Sequence, residues 1–155
     1  LPNRFGAGII QNNFELLGEI KYTDSVIDYA NTILKETGKE LKGLDGTIKP
    51  LRPTLPATGG STDVGDVSQV VPVVRLRTTT AAKDGPWHSW AVVACTGMSI
   101  GHKGMIYASK ALAMTMLDLY KNPKLIDGVR KEFLVRKGDR VYVPQIPPGP
   151  PKLID

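Results

Sequence analysis

The feature that most constrains this chain is the stretch "GHKGMIYASKALAMTMLDLYKNP" (residues 101–123), which reaches its first proline only at the last residue. Met105, Ala108, Leu112, Met116 and Leu119 recur in it at spacings of three and four, which predicts a long helix carrying those side chains along one face. A helix of that length spans a small domain, so the rest of the chain has to pack along it. Asn122 and Pro123 close it and open a second helix over 123–135, because proline at a first helical position lacks only an N–H that would be unpaired anyway.

Two further helices are legible upstream. In "NRFGAGIIQNNFELLGEI", Phe5, Ile9, Ile10, Phe14 and Leu17 outline an amphipathic helix that is weakened by Gly6 and Gly8 and ended by Gly18. In "YTDSVIDYANTILKETGKE", Thr23 is the predicted N-cap, Val26, Ile27, Ala30, Ile33 and Leu34 share a face, and Gly38 stops the helix. Residues 41–60 lose all periodicity, and a loop of that length inside one domain usually serves a site. The β-branched run "VVPVVRLRT" (70–78) then predicts a strand, with Pro72 at its start or on an edge, and "SWAVVACTG" predicts a shorter second one. The tail over 136–155 is proline-rich and expected to lie extended as a surface strap. Together these elements predict one α/β domain, a few strands with flanking helices.

Composition narrows the function classes. A hydrophobic fraction of 41% and a charged fraction of 23% are those of a soluble globular domain. The longest apolar runs, such as "WAVVAC", are too short for a membrane span, and no signal peptide is visible. Cys95 is the only cysteine, which fits a reducing cytoplasm and excludes an internal disulfide. The net charge of +5 comes from scattered lysines and arginines, and acids interrupt the densest cluster, "VRKEFLVRKGDR". That pattern describes a solvated helix face rather than a nucleic-acid-binding stripe. The chain opens "LPNRFGAG", without an initiator methionine, which predicts a trimmed or partial polypeptide.

Two stretches carry chemistry. "ATGGSTDVGDVSQVVPVV" leads through Gly59, Gly60, Ser61, Thr62 and Asp63 into a short helix-like stretch. Glycines allow close backbone approach, and hydroxyls before a carboxylate suit a cap, so a plain loop-to-helix junction also accounts for the pattern. Asp63 and Asp66 are three apart and could share a helical face, but as metal ligands they lack partners. In "DGPWHSWAVV" (84–93), His88 follows a Gly-Pro turn between two tryptophans. A neutral imidazole there suits zinc, and flanking indoles would keep the site dry; a lone loop histidine more often makes only a local hydrogen bond. No HExxH, CxxC, GxSxG or Walker pattern is present.

The ordered succession "GGSTDVGDVSQVVPVV", "PWHSWAVVA" and "SIGHKGMIYASKALAMTMLDLYKNPKL", with the ending "KEFLVRKGDRVYVPQIPPGPP", resembles the C-terminal part of dizinc amidohydrolases. These belong to the aminoacylase and glutamate-carboxypeptidase superfamily, and the resemblance points to its aminobenzoyl-glutamate-hydrolysing branch. It implies a cytoplasmic hydrolase in which two zinc ions activate a water and a glutamate takes the proton. It also implies that this chain is the segment of the catalytic domain that follows an inserted, dimerising lid. The His-x-Asp motif, the bridging aspartate and the Glu-Glu pair that precede the lid are not in this sequence. The partner would then be the missing N-terminal part of the same domain, within an oligomer, and the chain alone would be inactive.

Residue by residue, the resemblance assigns His88 as a zinc ligand and sets Gly59, Gly60, Ser61, Thr62 and Asp63 beside the substrate's carboxylate end. His102 matches a position of the branch to which no role carries over. Gln69 stands where tryptophan is expected, which bears on the choice of amide substrate. The alternative is a binding or scaffold homologue that keeps the fold without the chemistry.

Overall fold

The computed structural model describes residues 1–52, 62–144, 146 and 149–150. Each helix starts and stops where local chemistry dictates. Helix α1 (Arg4–Leu17) opens at Asn3, whose Oδ1 accepts the Gly6 N–H at 2.8 Å, and closes at Gly18, which turns the chain at φ 75°. Helix α2 (Asp24–Glu36) follows Thr23 and turns its Ala30, Ile33 and Leu34 inward. A short α3 (Val64–Val70) and a short α4 (Trp90–Thr96) precede the long α5 (Ser99–Lys121). Asn122 then accepts the Lys124 N–H at 3.2 Å, and Pro123 opens α6 (Pro123–Lys137).

Helix α5 contacts α1, α4 and α6, and α4 also packs on α2. One core joins Ala30, Ile33 and Leu34 of α2 to Ala82, to Ala91 and Cys95 of α4, and to Ile100 at the start of α5. Complete burial of Leu34 and Ile100 stabilises the fold by roughly 1.5–3 kcal/mol per side chain before ordering costs. On the other flank, α1 meets α5 through a buried polar lock. Asn13 Nδ2 donates to Thr115 Oγ1 at 3.0 Å and to Asp118 Oδ2 at 2.8 Å, and Thr115 in turn donates to the Ala111 carbonyl. Phe14 stacks on Tyr107 with ring centroids 5.5 Å apart, and the Tyr107 hydroxyl donates to Gly18 O at 2.7 Å.

The α/β expectation is overturned, because the described residues form helices and no strand. The run at 70–78 ends α3 and then crosses the bundle without regular structure. Its side chains still alternate, with Val74, Leu76 and Thr78 half-buried and Arg75 and Arg77 exposed, but a ladder needs a second strand. The segment is held by side chains instead: Thr78 Oγ1 donates to Gly104 O at 3.2 Å, and Thr79 Oγ1 to Asp45 O. The second expected strand is α4. Its Ala91 and Cys95 lie one helical turn apart and fill the core, and that tertiary contact outweighs the β preference of Val92 and the exposed Val93.

The stripe of Met105, Ala108, Leu112, Met116 and Leu119 along α5 is not its buried face. The buried positions are Ile100, Gly101, Gly104, Ala111 and Thr115, whereas Met105, Leu112 and Met116 face solvent. Small residues let the backbone come close: a Cβ at Gly101 would overlap Thr96 O, and one at Gly104 would overlap Thr79 O. The tail leaves α6 without regular structure over 138–144, and it brings Tyr142 near Asp66. Desolvation first and the Asp66 charge second raise the Tyr142 pKa.

The N-terminus of α1 is held from α6. Asn3 Nδ2 donates to Val129 O at 2.8 Å, and Glu132 Oε2 accepts the Phe5 N–H at 2.6 Å while its Oε1 accepts from Arg136 at 2.7 Å. The carboxylate thus covers otherwise unpaired N–H groups at the positive end of a helix. Burial pushes the Glu132 pKa up, but the Phe5 N–H, Arg136 and the Arg4 N–H outweigh it, so the net shift is downward.

This packing is testable at two positions. Gly104→Ala is expected to cost about 1–3 kcal/mol by urea denaturation despite alanine's better helix propensity; an unchanged midpoint would contradict the close approach. A carboxylate depressed in the folded state contributes stability above its unfolded pKa of about 4.3, and that contribution is lost as pH falls through the folded value. Glu132→Gln should therefore be less stable at pH 7 and lose less stability on acidification below about pH 4.3. Parallel pH profiles for the two proteins would remove Glu132 from the helix-end role.

Candidate functional site

The turn over 83–89 is built from both sides. Lys83 N donates to Gly43 O at 2.9 Å, Gly85 N to Ala82 O at 3.2 Å, and Lys42 Nζ reaches Asp84 Oδ2 at 3.0 Å. At its far end Ser89 Oγ donates to Pro86 O at 2.6 Å, and Ser89 starts α4, which the core pins through Ala91 and Cys95. Between these anchors, Asp84 (φ 59°) and His88 (φ 58°) are the non-glycine residues with positive φ among the described residues. A left-handed backbone disfavours L-residues by about 1–2 kcal/mol, so the anchors hold His88 where it would not settle by itself.

The His88 imidazole is exposed and has no hydrogen-bond partner among the described residues. The turn fixes its backbone, but the indoles do not enclose it: Trp87 is 69% exposed and Trp90 55%. The expected dry pocket is therefore corrected to an open turn. Beside it, Trp87 lines a cleft of about 190 Å³ with Asp45, Thr78, Thr79, Thr80 and Asp84. Asp45 Oδ1 accepts from Thr47 N and Oγ1, and its Oδ2 lies 3.0 Å from Lys49 Nζ and 3.4 Å from Lys83 Nζ. The Thr47 hydroxyl and Lys49, in that order, hold the Asp45 carboxyl well below the usual carboxylate range. A general base needs a pKa near the working pH, and Asp45 is driven the opposite way.

Among the described residues, no group of three His, Cys, Asp or Glu side chains could hold a metal ion. His88 fits as a single accessible ligand, and a zinc site needs three or four protein ligands. Gly59, Gly60 and Ser61 lie outside the described residues. Thr62 and Asp63 are exposed where α3 begins, with Thr62 Oγ1 3.4 Å from Val64 N and the Asp63 side chain making no cap bond. No hydrogen bond or ion pair links them to His88 among the described residues. Asp66 lies near Tyr142, and no hydrogen bond joins its carboxylate to that of Asp63 among the described residues.

His102 belongs to a different depression, of about 410 Å³, between the α1–α2 link and the first half of α5. There it neighbours Lys21, Lys103, Ile106, Tyr107, Lys110 and Glu19, whose carboxylate pairs with Lys21 at 2.8 Å. Sequence reasoning missed this hollow, although Lys103 and Lys110 stand one heptad apart in the segment read as a helix.

Two curated proteins match parts of the chain. One of the subunits of the p-aminobenzoyl-glutamate hydrolase of Escherichia coli (strain K12) is 35% identical over 89 residues, which are 57% of this chain and 18% of that protein. The Xaa-Arg dipeptidase of Mus musculus is 39% identical over 74 residues, 48% of this chain and 17% of that protein. Both are named as peptidase-type hydrolases, and the matches reach less than a fifth of the length of either. No family model and no solved structure matches. Among the described residues, no helix is long and apolar enough to cross a membrane.

The left-handed turn makes a stability ranking at position 88. His88→Gly should gain about 0.5–1 kcal/mol, the left-handed penalty less glycine's extra chain entropy, whereas His88→Val should lose about 1 kcal/mol. Thermal or urea melts of the two variants test this, and valine melting at or above glycine would dismiss the strained turn.

Proposed function

We propose that this chain contributes one metal ligand and a substrate-facing loop to a metal-dependent amide hydrolase. Its substrate would be an N-acyl or N-aroyl amino acid such as p-aminobenzoyl-glutamate. The observation that carries this reading is the turn that holds His88 at φ 58° with its imidazole free, in a chain whose partial relatives are named as hydrolases of glutamate- and arginine-containing amides. Backbone strain sustained by surrounding anchors commonly marks functional positions.

When bound, zinc would supply Lewis acidity at the scissile amide. His88 would offer a neutral ring nitrogen from a turn whose backbone is already fixed. The loop of Gly59, Gly60, Ser61, Thr62 and Asp63 would face the carboxylate end of the substrate. The remaining ligands and the general base would come from polypeptide outside this chain, and the chain alone would not turn over substrate.

The test is His88→Ala in the complete hydrolase, measured by zinc content and by cleavage of p-aminobenzoyl-glutamate. The expected result is loss of about one zinc per chain with loss of at least about 100-fold in kcat/KM, on the scale of removing a metal-site contact. Unchanged zinc and activity would return His88 to an ordinary loop residue. Unchanged zinc with lost activity would refute its role as a ligand.

A further inference from the structure

Helix α2 reaches both ends of the turn that carries His88. Its Ala30, Ile33 and Leu34 are locked in the core, so the side chains beside them start from fixed points. Asn31 Oδ1 accepts the Gly43 N–H at 2.8 Å, and Gly43 O accepts the Lys83 N–H at 2.9 Å, at the entrance of the turn. On the other side of Ala30, the Tyr29 hydroxyl donates to Ala94 O at 3.2 Å, in the helix that begins where the turn ends. Between the two, Leu34 Cδ2 would lie 3.8 Å from a Cβ at Gly85.

At the entrance, one side chain decides the geometry. Gly43 is buried at φ 57°, and a Cβ there would come 3.0 Å from Ile27 Cγ2 of α2. Its backbone is therefore pressed against the helix, and Asn31 satisfies the N–H that this approach removes from water. Without that acceptor a buried donor would stay unpaired, and the loop would draw away from α2 with Lys83 attached to it. The Lys42–Asp84 ion pair also joins loop to turn, but its members are 43% and 64% exposed, so it holds weakly. A left-handed backbone at His88 persists only while its surroundings hold both ends of the turn.

We infer that Asn31 is a positioning residue for His88. Through Gly43 and Lys83 it fixes the entrance of the turn, and so sets the backbone from which the imidazole is offered to a metal. Asn31 acts through that backbone alone, with no contact to the reacting atoms. The inference rests on the reading of His88 as a ligand and adds to it a residue from a different helix.

A double-mutant cycle in this chain, read by urea midpoints, tests the coupling. His88→Gly should raise the midpoint, because glycine relieves the left-handed strain. In an Asn31→Leu background, which removes the acceptor at similar volume, that rise should shrink to less than about half, because the turn is already free to relax. Asn31→Asp keeps the oxygen and should keep the full rise. Thr115→Val breaks the Asn13 contact between α1 and α5, lowers stability elsewhere, and should keep the full rise too. Gly43→Ala strikes the same link from its other side and replaces Asn31→Leu if that variant does not fold. In the complete hydrolase, Asn31→Leu should weaken zinc binding at least about tenfold, and Asn31→Asp should bind zinc as the unaltered protein does. An equal rise in every background, or no rise in the unaltered chain, would overturn the inference. Zinc lost in His88→Ala but held normally in Asn31→Leu would overturn it while the ligand reading stands. Zinc unchanged in His88→Ala would remove the ligand reading and this inference together.

Discussion

The close approach along the inner side of α5 sets the geometry on which the other elements depend. Gly101 lies against the Thr96 carbonyl and Gly104 against the Thr79 carbonyl, distances that no side chain would permit. Further along, Ala111 is fully buried and Thr115 receives Asn13 from α1. Because backbone meets backbone there, α4, the 78–80 segment and α1 can all reach a single helix. The large apolar residues are then displaced to the other side, where nothing in the described structure covers them. One distribution of residue sizes thus determines both the inner packing and the exposed stripe.

The helix ends were legible in the sequence because they rest on local chemistry. Gly18 ends α1, Thr23 precedes α2, and the Asn122–Pro123 pair separates α5 from α6, each as its own residue type demands. Periodicity failed where two faces compete. The spacing of Met105, Leu112 and Met116 is genuine, but spacing cannot tell a core face from an exposed one. The strand readings failed for a related reason. β-branched runs signal a half-buried surface rather than a ladder: Val73 and Val74 are half-buried without one, and Val92 and Val93 lie within α4.

The candidate site was legible as a position and not as a conformation. The Gly85–Pro86 turn and His88 stand out in the sequence, yet the left-handed backbone at His88 arises from anchors distant in the chain. Gly43 and Lys42 come from the loop after α2, and the other anchor is the burial of α4. The same distant contacts leave Trp87 and Trp90 in solvent, which no reading of adjacent aromatics could foresee. The dryness expected of the site was therefore inferred from neighbours in sequence that are not neighbours in packing.

The acids of the chain bear on where its chemistry would lie. Lys49 and Lys83 hold Asp45, Lys42 holds Asp84, and the end of α1 with Arg136 holds Glu132. At Asp45 and Glu132 those partners favour the charged form and hold the carboxyl below its ordinary range, which makes a poor proton acceptor near neutral pH. His88 and Asp63 differ from them: one has a free imidazole and the other makes no cap bond. The charges that stabilise this fold thus leave uncommitted two of the residues that the family resemblance singles out. On the proposed hydrolase reading, His88 would serve as a ligand and the base for amide hydrolysis would come from polypeptide outside this chain.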